Sequence, residues 1–104
     1  MSSLRSLKRR PTHPGAILRE EVLPALKMSQ TELAERLGVS RLSVSELVHE
    51  KRALTPEMAL RLSKLLDTTA ESWLAMQGAV DLWDARHLPD LFDEIEPLGS
   101  RRMT

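Results

Sequence analysis

The twenty residues from Gln30 to His49 constrain the fold more tightly than any other part of the chain. Ser29-Gln30-Thr31-Glu32 has the form of a capping box, in which Ser29 accepts from an early backbone N–H and Glu32 reaches back to the cap. Leu33, Ala34 and Leu37 then fall on one face of a short helix. Gly38 stands where the chain must turn sharply, and glycine enters the left-handed region without a Cβ penalty. Val39 fills the angle, Ser40 caps a second helix, and Val44, Leu47 and Val48 give that helix an inward stripe. Ala34 is small, as a steep helix crossing requires. An unspecialised amphipathic pair would also show caps and apolar spacing, but it has no need of Gln30, Ala34, Gly38, Val39, Val44 and Leu47 together. Two short capped helices around a glycine form the helix-turn-helix unit, whose second helix enters the DNA major groove.

The flanks predict three more helices. Pro14 suits the first turn of a helix running to about Leu26, with Ile17, Leu18, Val22 and Leu26 inward and Arg19, Glu20 and Glu21 outward. Pro24 is expected to tighten or end its last turn. Thr55-Pro56-Glu57 combines an N-cap, a first-turn proline and a first-turn acid, and Met58, Leu60, Leu62, Leu65 and Leu66 make the helix they open largely buried. Thr69 starts a last helix to about Arg86, where Trp73, Met76, Val80 and Trp83 recur at spacings of three and four. That stripe is longer than a small core needs, so Val80 and Trp83 are candidates for a dimer seam; both tryptophans read as core or interface rather than a ligand cage. The expected fold is all-α, with a basic arm over residues 1–12, a five-helix domain over 13–87 and a partly ordered tail over 88–104.

At 104 residues one domain is expected, and 41% hydrophobic with 29% charged residues is ordinary for a globular one. Without cysteine there is no disulfide, thiolate metal site or thiol nucleophile, which suits a reducing cytoplasm. No apolar run approaches the roughly 18 residues of a membrane span, and the basic start lacks the apolar stretch of a signal peptide. His13, His49 and His87 lie in separate segments without metal-ligand or nucleophile–base spacing, and no glycine loop is built for phosphate. No enzyme, metal, cofactor or small-molecule ligand is indicated. The zero net charge hides a division: residues 1–66 carry +5 and residues 67–97 carry −7. The basic part coincides with the helix-turn-helix, as phosphate binding requires. The acidic part fits either a basic partner or a solvated surface.

In a major-groove helix the first turns reach the bases, which selects Ser40, Arg41, Leu42, Ser45 and Glu46. Arg41 is suited to a guanine, and Leu42 to a thymine methyl unless it is an ordinary surface leucine. Ser45 suits a base edge or a phosphate. Glu46 suits cytosine N4, orientation of Arg41, or rejection of alternatives. Gln30, His49, Lys51 and Arg52 are candidates for the DNA backbone, the last two equally for solvated surface charge.

His13-Pro14-Gly15, the Leu18…Glu21…Leu23 run, SQTELAERLGVSRLSVSELV, KRALTPEMALRLSKLLDTT and SWLAMQGAVDL together resemble the HigA-type antitoxins of the XRE, lambda-repressor-like helix-turn-helix superfamily. The resemblance covers about residues 11–87. It implies a homodimer that binds a palindromic operator in its own promoter and neutralises a small basic RelE-like mRNA endonuclease encoded beside it. A stand-alone repressor, and an interaction module that has lost DNA binding, are the competing readings. The family usually places Asn-Gly where this chain has His49-Glu50, so the recognition helix is expected to end differently or run longer. It also tends to an aromatic residue where Val80 stands.

Overall fold

The computed structural model describes residues 9–88 and 92–99; most of the expected arm, and residues 89–91 and 100–104 of the expected tail, lie outside them. The described part is helical, with five helices and no strand among the described residues. Helix α1 is built of three consecutive pieces, Pro14–Ile17, a π-helical turn Leu18–Val22, and Leu23–Leu26. Helix α2 spans Gln30–Leu37, α3 Arg41–Val48, α4 Pro56–Leu66 and α5 Ala70–Arg86.

The helix starts are fixed by their caps. Ser29, Ser40, Thr55 and Thr69 each hold extended backbone and accept, through the hydroxyl, from the N–H three residues on. The capping box at Ser29 is half of what the sequence promised: Ser29 Oγ takes the Glu32 N–H at 3.0 Å, but the Glu32 carboxylate pairs with Arg36 at 3.2 Å. One helical turn separates those two side chains, so the guanidinium competes with the cap for the carboxylate. Gly38 turns the chain at φ +73°, and its neighbour Val39 donates to Ala34 O at 3.0 Å.

Pro24 ends α1 as expected: the last turn is tight, with Lys27 N–H donating to Pro24 O at 3.2 Å, and the helix stops at Leu26. The sequence does not announce the turn before it: Pro24 has no N–H to give that turn, which is widened, with Leu23 N–H donating to Leu18 O five residues back. A wide turn admits one extra residue and rotates the rest of the helix about its axis. Leu18 and Leu23 therefore enter the core, Ile17 and Val22 pack partly against it, and Leu26 turns out to 48% exposure. A similar correction applies in α4. Met58, Ala59 and Leu62 face inward, whereas Leu60 is 62% exposed, since it lies about 100° around the helix from Ala59.

The core joins all five helices. Leu18, Leu33, Val44, Leu47, Val48 and Leu62 are fully buried, and Trp73 of α5 closes the cluster with its indole N–H on Thr68 Oγ1 at 2.8 Å. Val80 is 1% exposed, so its side chain belongs to the protomer's interior and is not available to a surface seam. Gln77 is, with His13, one of the two buried polar residues among those described. Its carbonyl oxygen accepts the Leu54 N–H at 2.8 Å, and its amide donates to Asp81 at 2.9 Å. A glutamine on the last helix thus satisfies the backbone of the link between α3 and α4.

Candidate nucleic-acid interface

Helix α3 buries Val44, Leu47 and Val48 and turns its other side to solvent. Arg41 and Leu42 are exposed, Leu42 at 64%, while Ser45 and Glu46 are partly buried. Leu42, Ser45, Glu46 and His49 succeed one another at helical spacing and share the outward stripe with Arg41. Ser40, the other expected base reader, is exposed and also caps the helix. Its hydroxyl accepts from Ser43 N–H at 3.0 Å and donates to Ser43 Oγ at 2.9 Å. Gln30 opens α2, and Lys51 is exposed beyond α3.

Two of the expected contacts engage each other. Arg52 holds Glu46 Oε1 through Nε at 3.1 Å and through a terminal nitrogen at 2.7 Å, and its other terminal nitrogen reaches Ser43 Oγ at 3.3 Å. Glu46 therefore orients against Arg52, not Arg41. His49 Nδ1 lies 2.8 Å from Ser45 O; a carbonyl only accepts, so this nitrogen carries the hydrogen.

The recognition helix ends at Val48, without the extension the substituted cap allowed. Glu50 N–H donates to Leu47 O at 3.0 Å and Lys51 N–H to Glu46 O at 2.8 Å, the paired bonds of a Schellman ending. Such an ending needs a left-handed residue, and Glu50 supplies it at φ +62° in place of glycine. Its carboxylate is held from two sides, by Arg10 at 3.3 Å and by Arg19 at 3.2 Å, while Arg19 also donates to Val48 O, an otherwise open carbonyl of the last turn. The sequence pattern does not reveal this cluster, because Arg10 falls in the basic arm and Arg19 on the outward side of α1, each far along the chain from Glu50. Arg10 in fact also forks onto Asp84 of α5 with two bonds of 2.9 Å. That hydrogen bond raises the Arg10 pKa and holds the Asp84 carboxyl below its ordinary value.

The opening His-Pro-Gly acquires a physical role as well. His13 is buried and its Nδ1 accepts the Gly15 N–H at 2.9 Å, capping α1; burial pushes its pKa below the ordinary histidine value. Gly15 lies against the recognition helix itself. A Cβ there would stand 1.8 Å from Leu47 O. Among the described residues no group of His, Asp and Glu could hold a metal, and no helix is long and apolar enough to cross a membrane.

An outward-facing recognition helix, seated on a glycine and flanked by two basic residues, defines a helix-turn-helix protein of the nucleic-acid-reading class. The comparisons agree. The helix-turn-helix family model matches residues 18–73. The HTH-type transcriptional regulator YbaQ of Escherichia coli K12, itself uncharacterized, is 49% identical over 84 residues, 81% of this chain and 74% of the relative. Antitoxin HigA-1 of Vibrio cholerae is 42% identical over 84 residues, 81% of this chain and 79% of its own. Among solved structures, the Pseudomonas aeruginosa antitoxin HigA with the higBA promoter superposes with a TM-score of 0.78 at 40% identity, covering 86% of this chain and 99% of that one. The chain belongs to the HigA-type antitoxins of the XRE-like helix-turn-helix family, a family of regulators and not of enzymes.

Proposed function

We propose that this chain is an antitoxin and autorepressor. As a homodimer it binds a palindromic operator in its own promoter, and it neutralises a small basic RelE-like mRNA endonuclease encoded beside it. The observation that carries the reading is the open stripe of α3, Arg41, Leu42, Ser45 and Glu46, on a chain 42% identical to a HigA antitoxin. Arg41 takes a guanine and Leu42 a thymine methyl, Ser45 reaches a base edge or a phosphate, and Gln30, His49 and Lys51 hold the DNA backbone. That a similar HigA was solved with its promoter supports the DNA half of this reading. The −7 charge of residues 67–97 supports the other half, because a basic partner finds a complementary surface there.

The dimer seam is proposed at the end of α5. Trp83 is half-buried, and its indole nitrogen is buried with no hydrogen-bond partner among the described residues. The ring stacks on His87 with centroids 3.8 Å apart, and Leu82 and Leu88 stand 55% and 50% exposed nearby. A second copy would cover those leucines.

Co-expression with the product of the adjacent reading frame tests the function. A stable complex with a small basic protein that is toxic when expressed alone is the expected result. Operator binding by the chain without any such complex would instead favour a stand-alone repressor.

A further inference from the structure

Arg52 stands where a phosphate contact is expected, yet all three of its guanidinium nitrogens are engaged within the protein. We propose that Arg52 is a positioning residue for Glu46, and that the pair reads a cytosine in each operator half-site. The inference rests on the operator binding proposed above and names one of its specificity determinants.

The arrangement is a relay along the exposed side of α3. The cap hydroxyl of Ser40 donates to Ser43 Oγ at 2.9 Å, Ser43 Oγ receives Arg52 at 3.3 Å, and Arg52 holds Glu46 at 2.7 and 3.1 Å. Arg52 lies six positions after Glu46 and nine after Ser43, so the link beyond the helix folds back over the recognition helix. Both bonds to Glu46 end on Oε1. Oε2 has no protein partner among the described residues and keeps its lone pairs for an incoming donor. A lone carboxylate would be repelled from a groove walled by phosphates; one already paired with a guanidinium enters without net charge. Of the base edges in the major groove, cytosine N4 offers a donor that a carboxylate matches, whereas adenine sets its donor beside an acceptor and suits an amide.

The test is competition binding of the full-length chain to its promoter fragment and to every single-base variant of it, at two salt concentrations. The wild type should discriminate for cytosine at one position of each half-site by about tenfold or more. Glu46→Gln should move that preference toward adenine. Arg52→Ala should flatten the same position to within about twofold and spare the others. Arg52→Lys keeps the charge but not the planar fork, so it should flatten that position too. If Arg52→Ala instead weakens all sequences equally and lowers the salt slope by about 1, while Arg52→Lys behaves as wild type, Arg52 is a phosphate clamp and the proposal is overturned. An unchanged profile in Glu46→Gln also overturns it. A wild-type chain that binds no promoter DNA would remove the functional reading itself, a result distinct from both.

Discussion

A methyl group at position 15 would sit 1.8 Å from the Leu47 carbonyl oxygen, so Gly15→Ala forces the two helix backbones apart. Overpacking of this kind costs roughly 1–3 kcal/mol, and a lowered urea midpoint should report it. His13 makes a second prediction. Its Nδ1 needs a lone pair to accept from Gly15, and burial lowers its pKa from 6.5 in the folded chain. Between the folded value and 6.5 the unfolded chain binds a proton that the folded one refuses. Stability is thus complete above that window, falls as pH drops through it, and levels off below the folded value. Urea midpoints against pH should show this dependence, and His13→Asn, which keeps a cap acceptor, should lose it. Position 50 separates strain from charge. Glu50→Ala and Glu50→Gly both lose the bonds from Arg10 and Arg19, but only the alanine keeps the left-handed cost at φ +62°. The glycine variant should be the more stable by about 1 kcal/mol in the same melts.

Among the helices, what the sequence shows and what it hides divide along a physical line. Ser29, Ser40, Thr55 and Thr69 were legible as starts because a cap is a local bond between near neighbours. Leu26 and Leu60 were misplaced because a periodic pattern assumes an unbroken register and says little about which flank of a helix is covered. Pro24 was legible as the end of α1, but not as the cause of the wide turn before it, since a missing N–H does not say how the preceding turn adjusts. On the recognition helix the outward position of Arg41 and Leu42 was legible from its period. The partners of Glu46 and Glu50 were not, since they depend on chain returning from six to forty residues away. Gln77 shows the same limit across elements. Its oxygen serves the buried Leu54 N–H, so Gln77→Leu should orphan that donor at a cost of roughly 1–3 kcal/mol. Amide hydrogen exchange should quicken at Leu54 and its neighbours while α2 stays protected.

For the molecule as a whole, charge and assembly set how it meets its partners. The +5 of residues 1–66 suits the phosphates of the proposed operator, and operator affinity should fall steeply with salt. Arg10 ties the start of the described chain to Asp84 near the end of α5, so one residue of the expected arm is anchored beside the recognition helix's own terminus. Trp83→Asp places a charge in the proposed seam. Sedimentation should then show monomer, and affinity for a two-half-site operator should drop far more than affinity for one half-site. A dimer that survives the substitution would move the seam elsewhere.

The close approach of Gly15 to Leu47 has a further consequence for how such a protein changes its target. Most helix pairs are spaced by side chains, and swapping one for a larger or smaller one retilts the pair. Here the backbone of α1 at Gly15 rests on the Leu47 carbonyl of α3, so as long as position 15 stays glycine, no exchange on the outward face of α3 alters that spacing. The reading helix is set like type in a fixed frame: a new operator is met by exchanging the letters on its outward face, while the angle at which they strike stays the same.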